Sequence, residues 1–258
     1  MKLTFFSRFG LMSILQFIIW GAIANAQEKQ KNNTENWTDV PPIISPVIGS
    51  NAPSDAVILF DKNDLHLWES IKTKESPIPW KVKGSEFTVE PGTGSIATKQ
   101  SFSDCQLHVE WKIPALEVHE NLRYGNSGVL FMGFYEVQIY SSFNNVHKIY
   151  SNGQAGSIYK QYVPMVNACL PPEEWQTFDI IFTAPKFNAD KSLKSPAILT
   201  VFQNGVLIQY LAPLKGKTNN TDYTEYNWHP ESLPLTLQEH NSRISFRNIW
   251  IRKLNLGK

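Results

Sequence analysis

The chain has 258 residues, which is enough for one large domain or two small ones. Hydrophobic residues make up 42% of it and aromatic residues 12%, so it can bury a sizeable core. The formal charge is +1; without Lys2 and Arg8 of an amino-terminal segment considered next, 22 basic residues face 23 acidic ones. A nearly neutral chain gives no electrostatic reason to expect binding to nucleic acid or to an anionic membrane.

Residues 1–26 predict an export signal. Lys2 and Arg8 provide a basic start, residues 11–23 are mostly apolar, and Ala24-Asn25-Ala26 fits the small-x-small pattern of a cleavage site. Cleavage is expected before Gln27, and the apolar run is shorter than the roughly 20 residues that a membrane span needs. The mature protein is therefore expected in the periplasm or outside the cell, without a membrane span.

Residues 27–55 are polar and then rich in proline, which predicts a lead-in without a core of its own. From Ala56 to the end at 258, short apolar or alternating runs between turn signals predict β-strands. In chain order the expected strands lie at 56–60, 80–83, 86–90, 95–98, 105–113, just before Gly133, 135–140, 175–183, 197–203, 206–210, 235–240 and 244–254.

Asn204-Gly205, between two apolar runs, is the strongest hairpin signal in the chain. No long stretch has the 3.6-residue period of a helix. These patterns predict an all-β fold, a two-sheet antiparallel sandwich of the jelly-roll type, with the longer irregular segments as loops around one face.

Two cysteines, Cys105 and Cys169, leave two interpretations open. An exported protein could join them in a disulfide. Cys105 also occupies a core position of an alternating strand, where a small buried hydrophobic residue is equally suitable.

The main candidate site is the stretch from Arg123 to Tyr140. Because successive side chains of a strand leave opposite faces of the sheet, Glu136, Gln138 and Tyr140 should stand in a row on one face. A solvated outer face would explain such a row, but a carboxylate, an amide and a phenol also suit a polyhydroxylated ligand.

Small-residue turns flank this row and would let a ligand approach the backbone. They are Asn126-Ser127-Gly128 and the segment from Gly153 to Tyr159, whose last residue could stack on a sugar ring.

Other side chains could complete the site. Gln238 and His240 are expected to leave one face of a strand, and imidazole is the usual proton-transfer group near neutral pH. Arg247 could hold a carboxylate by a two-pronged hydrogen bond or could simply cap the sheet edge, and Glu110 could point into the same cleft. The remaining histidines are scattered, so no cofactor is expected, although a divalent cation is left open.

Taken in order, the motifs of this chain resemble the 3-keto-disaccharide hydrolase domain family over about residues 56–254. The motifs are Leu59-Phe-Asp61, Gly94–Thr98, Leu107–Trp111, Asn126-Ser-Gly128, Tyr135–Ile139, Gln154-Ala-Gly156 with Tyr159, Glu174-Trp-Gln176, Leu237–His240 and Arg247–Trp250. The resemblance implies a concanavalin A-like or laminin G-like jelly roll. It also implies export by bacteria of the Bacteroides type and action on glycosides whose C3 hydroxyl is oxidised to a ketone.

Two positions depart from the family pattern. Members commonly carry Asp in place of Tyr140 and an aromatic residue in place of Cys105. The first departure removes a second acid from the strand of Glu136, and the second is a packing change.

The implied chemistry fits the candidate residues. A C3 ketone acidifies the C2 proton, so that a base can remove it and the C1 aglycone can leave, and water can add to the resulting enone. Glu136 or His240 would be the acid/base, with Gln138, Asn126 and Arg247 as donors or orienting groups. A sugar 3-oxidoreductase is the expected pathway partner.

Two alternatives remain open at this point. One is a non-catalytic carbohydrate-binding or lectin-like module. The other is a conventional glucanase-like glycoside hydrolase, which needs two carboxylates at a defined separation, whereas the strand of Glu136 has only one.

Overall fold

Alternation of apolar and polar residues builds the sheets of this protein. In the computed structural model the strand Cys105–Lys112 buries every second side chain completely and leaves the others partly exposed. The structure describes residues 38, 40–49, 51–74, 77–115, 125–146, 148–219, 221 and 225–256. The predicted export signal, most of the lead-in and Arg123 lie outside these residues.

The chain divides into two units, residues 1–43 and 44–258. Of the first unit only residues 38 and 40–43 are described, and they form no strand. Everything below concerns the second unit.

Fifteen strands are found in the described residues. They are β1 Val57–Phe60, β2 Trp68–Ser70, β3 Lys81–Lys83, β4 Glu86–Thr88, β5 Ile96–Phe102, β6 Cys105–Lys112, β7 Ser127–Phe131, β8 Tyr135–Ile139, β9 Gln176–Thr183, β10 Lys186–Phe187, β11 Leu193–Ser195, β12 Ile198–Gln203, β13 Val206–Pro213, β14 Leu233–Leu237 and β15 Ser245–Lys253. The described helical elements are two single 3-10 turns, Phe143–Asn145 and Ser151–Gly153.

The strands form two antiparallel sheets and a small ribbon. The larger sheet has eight strands in the order β13-β12-β9-β6-β15-β4-β3, with β1 also paired to β15. The smaller sheet has five strands in the order β2-β5-β14-β7-β8, and β10 pairs with β11. The expected all-β two-sheet sandwich is therefore confirmed.

One aromatic-rich core lies between the two sheets. Phe131 of the five-stranded sheet stacks on Phe182 of the eight-stranded sheet, with ring centroids 4.6 Å apart. Trp68 of the five-stranded sheet lies 6.5 Å from Phe87 of the other sheet. Side chains that do not enter this core leave the sandwich on one of two opposite outer faces, and this decides which polar residues can share a site.

Several sequence expectations are met and others are corrected. β12 and β13 form the hairpin expected at Asn204-Gly205, with Asn204 at φ 52° and Gly205 at φ 77°. β14 ends at Leu237, so the expectation that Gln238 and His240 belong to a strand is wrong. The segment around 185–195, expected to be a loop, contains β10 and β11.

Cys105 and Cys169 are both free thiols, so the structure contains no disulfide between them. Burial raises the pKa of Cys105 to about 12. This agrees with the interpretation of Cys105 as a small buried hydrophobic residue.

Candidate active site

The outer face of the five-stranded sheet brings Glu136 and Gln138 beside residues of two other strands. Tyr135, Val137 and Ile139 of the same strand are fully buried in the core, so Glu136 and Gln138 leave from the opposite face.

Strand register fixes the neighbours of these two side chains. Glu136 lies opposite Leu130 of β7, which lies opposite Thr236 of β14. Gln138 lies opposite Gly128, whose carbonyl accepts a hydrogen bond of 2.9 Å from the N–H of Gln238. Gln138 and Gln238 therefore lie in one row, with only a glycine between them.

Residues 157–159, which follow β8 in the chain, pair with β8 and extend the edge of this sheet. Gln138 N–H donates to Ser157 O at 3.0 Å, and Tyr159 N–H donates to Glu136 O at 3.2 Å. Ile158 is fully buried in the core, so Ser157 and Tyr159 face outward beside Gln138 and Glu136. This segment was expected to be a loop, and Ser157 was not anticipated from the sequence.

Glu136 is a buried acid. It is 5% exposed, and burial raises its pKa to about 8. Its backbone N–H donates to Thr218 Oγ1 at 3.1 Å, which anchors the strand to a distant part of the chain. At neutral pH the carboxyl group is therefore mostly protonated and able to give up a proton.

The amide of Gln138 holds this carboxyl group. With its nitrogen directed toward Glu136, it donates to Glu136 Oε1 at 3.1 Å and to Ser127 O at 3.0 Å. In the opposite orientation the amide makes a 3.4 Å hydrogen bond to Asn126 Oδ1. The first orientation gives the buried carboxyl group a partner.

Gly128 provides the space in which the carboxyl group lies. A Cβ atom at this position would overlap Glu136 Oε1 and come within 3.0 Å of Glu136 Cγ and Cδ. The glycine is therefore required because a side chain fills the volume above it.

The remaining residues expected in this site lie on the same side of the sheet. Asn126 precedes β7 and its N–H donates to Ser242 Oγ at 3.0 Å, while Tyr140 follows β8 and is 8% exposed. His240 follows β14, three residues after that strand ends at Leu237.

Two buried polar atoms beside Gln138 have no hydrogen-bond partner among the described residues. They are Oγ of Ser157 and Oε1 of Gln238. Because buried polar groups are nearly always paired, such atoms point to a ligand or to water in this row.

Glu110 and Arg247, which were expected to line the same cleft, do not. Glu110 lies on β6 between the core residues Val109 and Trp111, and its register partner is Arg247 of β15. Both leave the outer face of the eight-stranded sheet, on the other side of the sandwich from Glu136. Alternation in the sequence correctly predicted which side chains of each strand point outward, but it did not predict which sheet each strand joins.

Glu110 is the centre of a paired network on that other face. Arg247 Nε donates to Glu110 Oε2 at 2.5 Å, and Asn248 Nδ2 donates to Glu110 Oε1 at 2.8 Å. A break in register between Arg247 and Trp250, with Asn248 at φ 44°, allows both neighbours to reach the same carboxylate. His108 Nδ1 lies 2.7 Å from Asp179 Oδ1.

A cleft of about 580 Å³ opens beside this network. Its lining includes Asp61, Lys62, Glu110, Arg247, Asn248 and Trp250. Glu110, which lines this cleft, is held ionised by its neighbours. Proton transfer is better matched to the buried acid at Glu136.

The network shifts two pKa values in opposite directions. Burial alone would lower the pKa of His108, but hydrogen bonds and charge from Asp179 and Glu110 outweigh it and raise the pKa to about 9. Burial alone would raise the pKa of Glu110, but hydrogen bonds from His108, Asn248 and Arg247 lower it to about 2.

We expect His108 to make the free energy of unfolding decrease at alkaline pH. Its pKa is about 9 in the folded state against 6.5 for an unperturbed histidine, so its contribution is complete below pH 6.5 and is lost as pH rises through 9. The contribution is at most about 3 kcal/mol. Urea unfolding of the wild type and of His108→Gln at pH 6 and pH 10 measures it: the two proteins should differ more at pH 6. An equal difference at both values would contradict this assignment.

Among the described residues, none of the helical elements has the length and apolar character of a membrane span. Within the same residues, no three His, Cys, Asp or Glu side chains converge as in a metal site.

Comparison with solved structures connects this geometry to a group of proteins. A provisionally assigned glycosyl hydrolase from Parabacteroides distasonis ATCC 8503 is 42% identical, with a TM-score of 0.79; the match covers 86% of this chain and 95% of that one. A second protein from the same organism, with the same provisional assignment, is 20% identical with a TM-score of 0.56 and shares the fold; the match covers 77% of this chain and 99% of that one. No curated protein matches the chain.

The sequence profile of one family matches residues 55–252 and is described as a 3-keto-alpha-glucoside-1,2-lyase-like domain. The match includes β8, which carries Glu136 and Gln138, and β7, which carries Gly128. Together with the P. distasonis relative, it identifies a carbohydrate-active enzyme domain of the glycosyl-hydrolase-like kind. Since the profile spans more than half of the sequence, this chain belongs to the 3-keto-alpha-glucoside-1,2-lyase-like domain family.

Proposed function

We propose that this protein cleaves glycosides whose C3 hydroxyl group has been oxidised to a ketone, by elimination between C1 and C2. The observation that carries the proposal is Glu136, a buried carboxyl group whose pKa is raised to about 8 and which contacts the amide of Gln138. The family description, which refers to 1,2-lyases of 3-keto-glucosides, supports the same chemistry.

Glu136 is the general acid in this proposal. The base removes the C2 proton, and the electron pair is delocalised onto the oxygen of the C3 ketone as an enolate. The enolate then collapses to a C1=C2 double bond while the C1–O bond breaks, and Glu136 donates its proton to the departing oxygen. A carboxyl group that is mostly protonated at pH 7 suits this step.

His240 is the proposed base. Imidazole accepts protons near neutral pH, and His240 follows β14, which lies two strands from the strand of Glu136 in the same sheet. Gln138 and Gln238, in the row between them, are the proposed donors to the enolate and to the sugar hydroxyl groups. Gln238 Oε1, which has no partner among the described residues, is free to accept from a sugar hydroxyl.

Glu110 and Arg247 have no part in this site, since they lie on the other outer face. Export to the periplasm and a sugar 3-oxidoreductase that supplies the ketone remain part of the proposal.

Incubation of the purified protein with a 3-keto-disaccharide and with its unoxidised parent tests the proposal. We expect release of the aglycone and appearance of enone absorbance only with the keto sugar. Release from both would instead favour a conventional glycosidase. Binding without release from either would favour a carbohydrate-binding module.

A further inference from the structure

Glu136 has chemically different surroundings on its two sides. Directly opposite on β7 lies Leu130, and the next row of the same sheet holds Gly128 and the amides of Gln138 and Gln238, which form the amide side. On the other side lies Tyr159, one row beyond the strand of Glu136. Side chains opposite one another on neighbouring antiparallel strands have Cβ atoms about 5 Å apart, so Tyr159 and Glu136 leave the sheet side by side.

A second tyrosine extends this aromatic side away from the sheet. Tyr150 Oη lies 2.8 Å from Tyr159 Oη, with ring centroids 6.5 Å apart. Tyr150 is 45% exposed, so part of its ring is open to solvent.

The loop that carries Tyr150 is closed by its own hydrogen bonds. Lys160 N–H donates to Asn152 O at 2.9 Å, and Asn152 Nδ2 donates to Lys160 O at 3.1 Å. A Cβ atom on Gly153 would come within 2.8 Å of Tyr150 Cζ, so this glycine lets the ring lie against the backbone. The two rings are therefore held in fixed positions beside the acid.

The ammonium group of Lys160 lies over the ring of Tyr150, 3.9 Å from its centroid. A cation over an exposed ring is held weakly, by about 1 kcal/mol or less, so the flat face of a ligand can replace it.

The proposed reaction fixes which part of the substrate meets each side. Glu136 protonates the glycosidic oxygen, which is the atom that joins the keto sugar to the aglycone. The keto sugar needs hydrogen-bond donors for its oxygens and therefore lies on the amide side. The aglycone then extends past Glu136 toward the tyrosines.

We infer that Tyr150 and Tyr159 form the aglycone-binding platform of this site, and that Tyr150 determines which aglycones are accepted. This inference rests on the proposed function. The platform takes an aglycone with a flat apolar face, which is either an aryl group or a second pyranose ring, in preference to a small alkyl group.

The test uses 3-keto-glucosides with methyl, p-nitrophenyl and glucosyl aglycones. In Tyr150→Ala we expect kcat/KM to fall about three- to ten-fold for the p-nitrophenyl and glucosyl compounds and to change little for the methyl compound. The larger of the two losses tells whether the platform favours aryl or sugar aglycones. Tyr210→Ala, which removes a 65% exposed tyrosine of β13 in the other sheet, is the matched control and should change none of the three. Equal losses for all three compounds would overturn the inference.

Binding separates this inference from the proposed chemistry. The dissociation constants of the same three compounds are measured by calorimetry with Glu136→Gln, alone and combined with Tyr150→Ala. If Tyr150→Ala weakens binding of only the p-nitrophenyl and glucosyl compounds, the platform is supported. This holds even if the wild type cleaves none of the compounds, in which case only the proposed reaction fails. Equal affinity for all three, or no binding of any of them, overturns the platform.

Discussion

Glu136→Gln should lower kcat toward a 3-keto-glycoside by about 10²- to 10⁴-fold, which is the usual contribution of a positioned general acid. The amide has the shape of the carboxyl group and can still contact Gln138, but its N–H protons are too weakly acidic to be transferred to the leaving oxygen. Binding of the keto sugar should therefore persist while turnover is lost. Steady-state kinetics, together with calorimetric binding of the same compound, measures the two quantities separately.

The pH profile gives a second reading of the same carboxyl group. The acid works only when protonated, so wild-type activity should fall as pH rises through about 8.

The free energy of unfolding should also decrease as pH rises. The folded protein keeps the Glu136 proton at pH values where the unfolded chain, with a pKa of 4.5, has lost it. The free energy of unfolding therefore decreases between pH 4.5 and pH 8, by an amount on the order of a few kcal/mol. Glu136→Gln should lack this decrease in urea unfolding.

Glu69→Gln is the matched control for both measurements. Glu69 lies on β2 in the same five-stranded sheet and, through its register partner Ala97, in the same cross-strand row as Glu136. Its carboxylate lies on the surface and pairs with Lys74 at 2.5 Å. Activity and pH profile should stay at wild-type values in this variant. If Glu136→Gln also retained full turnover, the carboxyl group would have no role in proton transfer.

The sequence predicts strands better than it predicts their partners. Alternation along Cys105–Lys112 and the Asn204-Gly205 turn are local signals, and the structure follows both. Pairing of distant strands depends on the whole core, which no local pattern records. For this reason Glu110 and Glu136, each on the correct outward face of its own strand, were expected in one cleft and lie on opposite sides of the sandwich.

The burial of Glu136 could not be predicted for a similar reason. A carboxylate that alternates with core residues has the pattern of a solvated outer face. Here Thr218, more than 80 positions away, bonds to its backbone, and the segment around Ile158 adds a row to the sheet beside it. These long-range contacts, together with the empty position at Gly128, turn an ordinary surface acid into one whose pKa is raised to about 8. The sequence did not predict that β14 ends before His240. The alternation of apolar and polar residues continues past Leu237, although the strand pairing stops there.

Gly128→Ala should reduce activity strongly although it adds a single methyl group. The new Cβ would overlap the Glu136 carboxyl group, and the carboxyl group must therefore move away from Gln138. Overpacking of a tight site costs about 1–3 kcal/mol of stability. A displacement of about 1 Å in an acid is enough to lower turnover about 100-fold. Steady-state kinetics on the keto sugar and urea unfolding of the same preparation measure the two effects.

Two further variants tell whether the methyl group acts through Glu136. Gly205→Ala also carries a backbone cost, because Gly205 has φ 77°, but its Cβ would meet no atom within 4 Å. It should lose stability and keep full activity, which excludes general destabilisation as the cause. In a Glu136→Ala background the carboxyl group is absent, so Gly128→Ala should cost less stability than it does in the wild type, and the difference is the coupling energy of the pair. An equal cost in both backgrounds would mean that the space above Gly128 is not what positions the acid.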